Sequence, residues 1–233
     1  MFRWNGEALY KRRTPGGHYE IATEMFRHPF TMVLSGSTGS GKTQWLRRFL
    51  EHRTALVEPT PEYVLYCYVE LNPTVLALEH QPGVETYYGV PDEVYIRAAR
   101  ERHGRLLLVL DDLMVNLKAD YLATVFTRGS HNWDVSVVLV TQHTFSKEIK
   151  TARNNAHYLV LMRNPAGALQ VRTIASQLFP TASRYFMEAY KDATRRPFSY
   201  LVVDMHPQTP DAHRLKTHIY PDDEACIIYV AKD

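Results

Sequence analysis

Residues 31–43 read TMVLSGSTGSGKT. The apolar, β-branched beginning of this run predicts a buried strand, and its glycines predict a turn that opens into a helix. The turn fits the pattern G-x-x-x-x-G-K-[ST], with Gly36, Gly41, Lys42 and Thr43 in the fixed places. Glycines let successive backbone N–H groups point inward, and the N-terminal end of the following helix is positive. The run therefore predicts a loop that cradles a polyphosphate.

The residues on both sides of the loop fit this interpretation. Residues 29–34 are apolar and rich in β-forming side chains. After the loop, four apolar side chains recur with helical spacing and share one face, namely Trp45, Leu46, Phe49 and Leu50. Strand, loop and helix are all indicated, and an ordinary glycine turn is the alternative.

The positions of the loop have distinct expected roles. Lys42 would reach the β- and γ-phosphates, and the Thr43 hydroxyl would bind Mg²⁺. The residues expected to hold the phosphates are Gly36, Ser37, Thr38, Gly39, Ser40, Gly41, Lys42 and Thr43.

Residues 105–112 read RLLLVLDD. Five apolar residues in a row suit a strand buried on both faces of a parallel sheet. The two acids then lie at its carboxyl end, the edge at which ligands bind in open α/β sheets. Asp111 is expected to hold Mg²⁺ through its water shell, and Asp112 to orient or deprotonate the attacking water. A pair of acids at an exposed strand end, or a helix cap, is the alternative.

Residues 134–142 read DVSVVLVTQ and predict another buried strand that ends in polar residues. Its end falls at the ligand edge of the sheet, so Gln142 is a candidate for contact with the γ-phosphate or the attacking water. A polar strand terminus without such a role is the alternative. Further strands are expected at 63–69, 84–88, 157–162, 198–204 and 226–230, with helices at 92–103 and 120–128 and two amphipathic helices after residue 165.

The composition indicates a globular α/β protein. The 233 residues are 45% hydrophobic, enough for one sizeable domain or a domain with a small appendage. Because 27 basic residues nearly balance 25 acidic ones, contact with nucleic acid would need a local patch or ring assembly. Cys67 and Cys226 lack metal-ligand spacing and suggest a reducing compartment, with a disulfide between them as the alternative. No apolar run suits a membrane span or signal peptide, so we expect a soluble, intracellular protein.

Residues 1–28 carry basic side chains around a Pro-Gly-Gly run at 15–17. This composition predicts a basic N-terminal arm without regular structure, either a solvated tail or a contact to DNA or a neighbouring subunit. We expect residues 29–233 to form a single P-loop ATPase domain with a C-terminal extension of strand and helix.

The succession of phosphate loop, intervening strand, acidic pair and glutamine-ended strand resembles P-loop ATPases with an extra strand between the two nucleotide-binding motifs. Other blocks resemble the FtsK/HerA superfamily, and within it the viral genome-packaging ATPases of the poxvirus type, including relatives in adintoviruses and Maverick/Polinton elements. These blocks are HPF at 28–30, YCY at 66–68, FTRGSH at 126–131, TQ at 141–142, NAHYLVL at 155–161, RNP at 163–165 and RLKT at 214–217. The resemblance implies an α/β fold: a three-layer P-loop NTPase of RecA-like (ASCE) type, with a mostly parallel central sheet flanked by helices.

The resemblance also carries roles onto matching positions. It implies that the phosphate loop binds ATP with Mg²⁺, that Asp111 is the metal carboxylate and that Gln142 is the sensor glutamine. Asp112 stands where many FtsK/HerA members have Glu, and its shorter side chain leaves open whether it is the base or only positions the water. The family further implies a ring in which one subunit supplies an arginine to its neighbour's ATP. The candidates, in order, are Arg128, Arg163 and Arg214, each with a surface or salt-bridge role as the alternative.

The activity implied is ATP hydrolysis coupled to movement of double-stranded DNA into a preformed viral capsid. The implied partners are double-stranded DNA, identical subunits in a pentameric or hexameric ring, and a capsid vertex, with no membrane. The place of action would be the host cell at sites of virion assembly, and transiently the procapsid. Basic candidates for the inner wall of the ring, all equally explained as solvated faces, are Arg47, Arg48, Lys147 and Lys150.

Two other functions stay open at this point. One is an FtsK/HerA-type DNA translocase for segregation, conjugation or phage morphogenesis. The other, from a different class, is a nucleotide-binding structural protein without turnover. The intact lysine, threonine and acidic pair of the two motifs argue against the second.

Overall fold

The computed structural model describes residues 2–3, 9–13, 25–113, 117–142 and 149–231. Within them the strands are β1 (Phe2–Arg3), β2 (Leu9–Arg13), β3 (Phe26–Arg27), β4 (Thr31–Ser35), β5 (Val57–Glu58), β6 (Tyr63–Tyr68), β7 (Val84–Tyr88), β8 (Leu106–Asp111), β9 (Val135–Thr141), β10 (Tyr158–Met162), β11 (Tyr200–Asp204), β12 (Leu215–Thr217) and β13 (Ile227–Ala231).

The helices are α1 (Lys42–Glu51), α2 (Arg53–Leu56), α3 (Pro73–Leu78), α4 (Glu93–His103), α5 (Ala119–Thr124), α6 (Ser130–Asn132), α7 (Lys150–Asn154), α8 (Ala168–Leu178) and α9 (Ser183–Ala193). A π-helical turn, Val125–Gly129, joins α5 to α6, and 3-10 turns lie at Pro165–Gly167 and Asp211–His213. In the described part of the chain, none of these helices has the length and apolar character that a bilayer crossing requires.

Six parallel strands form the half of the sheet that carries the predicted motifs. Their order is β10-β4-β9-β8-β6-β7, and each is parallel to its neighbours. The phosphate-loop strand β4 and the acidic strand β8 are separated by β9. This intervening strand is the RecA-like arrangement, so the predicted fold class is confirmed.

Five antiparallel strands extend the sheet beyond β10, in the order β11-β12-β13-β2-β1. In this extension β2 and β13 are paired over five residue pairs. The prediction that residues 1–28 lack regular structure is therefore wrong for Phe2–Arg3, Leu9–Arg13 and Phe26–Arg27, because the backbone of each segment pairs with another strand. A separate two-stranded parallel sheet joins β3 to β5.

Helices cover both faces of the large sheet and enclose two hydrophobic cores. On one face, Trp45 and Phe49 of α1 pack with apolar residues of α2 and α3. On the other face, Phe186 of α9 packs with apolar residues of α4, α5, α7 and α8. Cys67 and Cys226 are buried and unpaired, one in each core. The three layers follow from apolar side chains that recur on one side of each helix.

Two of the predicted helices illustrate local control of the fold. The helix predicted at 92–103 forms as α4, and the Asp92 carboxylate caps it by accepting a hydrogen bond from the Tyr95 backbone N–H at 2.7 Å. The helix predicted at 120–128 is interrupted, because α5 gives way to the π-helical turn that carries Arg128. π-Helical turns are rare overall, and those that do occur often lie at functional sites.

Candidate nucleotide-binding site

The predicted motifs converge at the carboxyl edge of the parallel strands. β4 and β9 end opposite each other, since Ser35 pairs with Thr141, and β8 ends one residue pair away. Side chains that follow neighbouring parallel strands share one edge of the sheet. The residues that leave the sheet side by side here are Gly36, Asp112 and Gln142.

Two glycines set the path of the phosphate loop. A Cβ atom at Gly36 would lie 2.5 Å from the Cβ of Met162 in β10, so the loop passes directly against the neighbouring strand. Gly41, which precedes α1, has a φ of +99°, a left-handed value that favours glycine. A Cβ there would also lie 2.9 Å from the ring of Phe198. The loop is thus fixed against β10 and against the segment that precedes β11.

Lys42 lies inside the loop that precedes it. Its ammonium group donates hydrogen bonds to the backbone carbonyls of Gly36 at 2.8 Å and Ser37 at 3.0 Å. Burial lowers the pKa of Lys42, while the negative charges of Asp112 and Asp111 act in the opposite direction. This arrangement places a positive charge within the loop, where the lysine of a P-loop contacts phosphate.

A chain of hydrogen bonds joins the phosphate loop to the ends of β8 and β9. The Thr38 hydroxyl donates to Gln142 Oε1 at 2.9 Å, and Gln142 Nε2 donates to Asp112 Oδ2 at 3.3 Å. The orientation of the amide follows from its partner, because a carboxylate only accepts and the NH₂ group must face Asp112. Three residues that the sequence indicated separately therefore contact one another.

Tyr66 is a site residue to which the sequence assigned no role. It lies in β6, which pairs with β8, and its hydroxyl donates to Asp111 Oδ2 at 2.5 Å. Burial raises the pKa of Asp111, and the hydrogen bond from Tyr66 opposes this by stabilising the ionised carboxylate. In the sequence Tyr66 is one of several tyrosines in a β-rich run, and only the register of β6 against β8 brings it to Asp111.

Oxygen donors suited to Mg²⁺ lie at this edge. Asp111 contributes a carboxylate, and Thr43 contributes a hydroxyl on an exposed residue in the first turn of α1. Across the described ranges, no group of three or more His, Cys, Asp or Glu side chains is placed to hold a metal ion. Mg²⁺ usually binds one or two carboxylates together with substrate phosphates and water. The donor set therefore fits Mg²⁺ that binds together with a nucleotide.

Arg163 and Arg128 lie in different surroundings. Arg163 follows β10, and its carbonyl accepts a hydrogen bond from the Ser37 hydroxyl at 3.4 Å. It therefore lies beside the phosphate loop of its own chain. Arg128 is exposed in the π-helical turn, and no carboxylate among the described residues forms an ion pair with it.

Arg214 forms an ion pair and hydrogen bonds with residues of its own chain. Its Nε donates to Asp211 Oδ1 at 2.7 Å, and Nη1 donates to the carbonyls of Asp204 at 3.1 Å and His206 at 3.3 Å. Asp204 ends β11, whose antiparallel direction places it at the amino edge of β10 and β4. These contacts give Arg214 a structural role at the edge opposite the phosphate loop.

Arg48, a candidate for the inner wall, also contacts its own chain. Its Nη2 donates to Asp222 Oδ1 at 2.6 Å and to Asp223 Oδ1 at 2.9 Å. Its guanidinium carbon lies 4.0 Å from the centroid of the Tyr220 ring. These contacts join α1 to the segment between β12 and β13 and give Arg48 a structural role.

The other basic candidates differ from Arg48. Arg47 is exposed and forms an ion pair with Glu51 of the same helix at 3.5 Å. Lys150 is exposed at the start of α7. Lys147 lies outside the described residues.

No family model matches the chain, and no curated protein matches it. It is similar to the structure of a KaiC-like protein from Pyrococcus horikoshii OT3, at 13% identity and a TM-score of 0.47, over 96% of this chain and 100% of that one.

Two secretion ATPase structures are also similar. One is the cytoplasmic domain of the Type VII secretion ATPase EccC of Thermomonospora curvata, at 14% identity and a TM-score of 0.48, over 87% of this chain. The other is EssC (ATPases 2 and 3) of Geobacillus thermodenitrificans, at 12% identity and a TM-score of 0.44, over 86% of this chain. The chain spans 25% of the EccC structure and 39% of the EssC structure. These likenesses concern the fold alone, and the strand order and site contacts stand independently of them.

Proposed function

We propose that this chain is an ATPase motor that moves double-stranded viral DNA into a preformed capsid. The observation that carries the hydrolytic part is the hydrogen-bond chain from Thr38 through Gln142 to Asp112, because it joins the phosphate loop to the acidic end of β8. The sequence blocks that resemble viral genome-packaging ATPases support the DNA-translocating part.

Each residue of the site has a role in hydrolysis. The backbone N–H groups of the loop and the Lys42 ammonium hold the β- and γ-phosphates and balance their charge. Asp112 orients the attacking water or accepts its proton, and the Gln142 amide positions that carboxylate. Asp111 and Thr43 would hold Mg²⁺, which would supply positive charge to offset the negative charge of the phosphates.

The hydrogen-bond chain also offers a link between the nucleotide and the sheet. Phosphate oxygens of ATP compete with Gln142 Oε1 as acceptors for the Thr38 hydroxyl, so this bond changes when ATP binds or is hydrolysed, while Gln142 Nε2 keeps its bond to Asp112. Gln142 directly follows β9, a strand whose seven residues are all buried. The state of the nucleotide thereby alters the bonding at the end of a central strand.

The proposed partners are further copies of the chain in a pentameric or hexameric ring, double-stranded DNA in its channel, and a vertex of the procapsid. Contacts of a motor to the phosphate backbone do not depend on base sequence and weaken with salt. Arg47 and Lys150 are described basic residues whose exposure suits such contacts.

Substitution of either Lys42 by Ala or Asp112 by Asn should abolish DNA-stimulated ATP hydrolysis. Lys42→Ala removes the positive charge from the loop. Asp112→Asn keeps the size of the side chain but removes a proton acceptor, and loss of a general base lowers a rate by about 10²–10⁴-fold. The measurement is phosphate release with and without duplex DNA at several salt concentrations.

Matched controls change exposed residues of the same types. Lys191→Ala on α9 and Asp120→Asn on α5 should hydrolyse ATP like the wild type. Wild-type rates in both Lys42→Ala and Asp112→Asn would refute the site assignment. Filling of capsids is tested separately by protection of DNA from nuclease in procapsids incubated with the chain and ATP, and DNA left unprotected despite ATP hydrolysis would refute packaging.

A further inference from the structure

We propose that the phenyl ring of Phe198 is the platform on which the base of the bound nucleotide stacks. The inference deepens the proposed function and rests on it. It starts from two features of this residue. Its exposed ring contacts the phosphate loop, and its backbone has a conformation that phenylalanine rarely adopts.

The position of Phe198 places its ring at the loop. The residue lies between α9 and β11 and is 57% exposed. A Cβ atom on Gly41 would lie 2.9 Å from Phe198 Cδ1 and 3.3 Å from its Cα, so ring and backbone both pack against the last glycine of the loop. Neither hydrophobic core of the described chain includes this ring. The ring therefore lies at the N-terminus of α1, next to the place where the phosphate loop would bind a ligand.

The backbone of Phe198 is unusual, with a φ of +61°. Pro197 and Phe198 occupy the central positions of a turn in which the Ser199 N–H donates to the Arg196 carbonyl at 3.4 Å. A turn with proline second and a left-handed third residue normally has Gly or Asn in the third place. Backbone outliers of this kind cluster at ligand clamps and active sites. Packing against Gly41 leaves the ring mostly exposed and outside both cores, so contact with a ligand accounts for phenylalanine at this place better than core packing does.

The direction of the nucleotide puts the base on the same side. Asp112 and Gln142 follow β8 and β9, so the γ-phosphate lies on that side of β4. A triphosphate that lies along the loop then has its nucleoside on the other side, above β10 and β11. Phe198 lies there, because Tyr200 at the start of β11 pairs with Met162 at the end of β10.

The chemistry of the ring predicts which ligands it stabilises. A phenyl group offers a π-face and no hydrogen-bonding atom, and stacking of bases on aromatic side chains tolerates any base. Phe198 should therefore contribute equally to the binding of ATP and GTP. It should contribute nothing to the binding of inorganic tripolyphosphate, which has no base.

Calorimetric titration of ATP, GTP and tripolyphosphate, each with Mg²⁺, tests the inference. Phe198→Ala is expected to weaken ATP and GTP about tenfold, the range of one base–aromatic stack, and to leave tripolyphosphate unchanged. Phe198→Leu keeps an apolar group without a π-face and should behave like Phe198→Ala, whereas Phe198→Tyr should bind like the wild type. Tyr88→Ala is the matched control, because Tyr88 is a 72% exposed aromatic residue in β7, at the far end of the parallel strands.

The outcomes separate this inference from the proposed function. Equal ATP affinity in Phe198→Ala and the wild type would overturn the stacking role and leave nucleotide binding intact. Loss of all three ligands in a folded Phe198→Ala protein would also overturn it, since the residue would then shape the loop. A change in assembly state alone would mark Phe198 as a subunit contact and overturn it too. Failure of the wild type to bind ATP or tripolyphosphate would refute the proposed function itself.

Discussion

Asp112 follows β8 in a left-handed backbone conformation, with a φ of +52°. Aspartate is enriched several-fold at such positions because its short polar side chain bonds locally, whereas most residues with a Cβ are disfavoured there. This is a backbone reason for aspartate, with its short side chain, at this position. The hydrogen bond from Gln142 at 3.3 Å then positions the shorter carboxylate.

Tyr66→Phe should raise the Mg²⁺ concentration needed for half-maximal ATP hydrolysis. The hydroxyl that is lost donates to Asp111, and its bond lowers the pKa of that buried carboxylate. Without it the carboxylate is less well oriented and binds a proton more readily in competition with Mg²⁺. A hydrogen bond to a charged group contributes about 1.5–3 kcal/mol, so we expect a rise of about tenfold or more. The measurement is ATPase rate against Mg²⁺ concentration at saturating ATP.

Tyr63 supplies the matched control for Tyr66. It lies in the same strand, and its hydroxyl also donates to a carboxylate, that of Glu85 at 3.0 Å, on the side of β6 away from β8. Tyr63→Phe should leave the Mg²⁺ dependence unchanged. If Tyr66→Phe shows the same Mg²⁺ dependence as the wild type, Tyr66 has no part in positioning Asp111.

At the scale of elements, a buried histidine ties the segment between β3 and β4 to β9. His28 Nδ1 lies 2.6 Å from the Ser136 hydroxyl, which accepts a hydrogen bond from the Phe30 N–H at 3.1 Å. Burial lowers the pKa of His28, and the nearby Asp134 carboxylate acts in the opposite direction. The neutral imidazole is therefore the form that the fold favours.

The histidine makes stability depend on pH in a defined direction. Because the folded pKa of His28 lies below the ordinary value of 6.5, the unfolded chain takes up this proton first as the pH falls. The stabilisation is present above the ordinary value and is lost as the pH falls through the folded pKa, by at most about 1.4 kcal/mol per pH unit. The cost of His28→Asn in urea unfolding should thus be smaller at pH 5.5 than at pH 7.5. An equal cost at both would contradict this, with exposed His80→Asn as the control.

The elements also show which features of the fold and the site can be predicted from the sequence. The phosphate loop at 31–43 and the acidic end of β8 are predictable because contiguous runs encode them through periodicity and turn residues. Tyr66 and Phe198 are not, since their significance depends on residues that are distant in the chain. Tyr66 meets Asp111 through the register of β6 against β8, and Phe198 meets Gly41 through the turn that precedes β11. The pairing of β2 with β13 is a contact of the same long-range kind.

At the scale of the assembly, the proposed ring would let an arginine of the next subunit complete the site. An arginine supplied in this way raises the rate by about 10³–10⁵-fold. Arg128→Ala subunits mixed with wild-type subunits should therefore inactivate sites on their neighbours as well. ATPase activity against the fraction of variant should fall below the straight line that independent subunits give.

Arg172→Ala is the control for the mixing experiment, because Arg172 is an exposed arginine on α8. Its mixtures should keep the activity of the wild type. A linear decline for Arg128→Ala would exclude Arg128 as the shared arginine.

The eleven strands of the large sheet in the described chain form one continuous hydrogen-bonded unit that can transmit force. The site residues project from its parallel half, and β2 and β13 lie in the other half. Every strand is hydrogen-bonded to the next. A force applied at β13 is therefore transmitted through these pairings to the strands that set the spacing of Gly36, Asp112 and Gln142. We therefore expect a force that acts on β13 to distort the spacing of the site residues and so to change the rate of ATP hydrolysis.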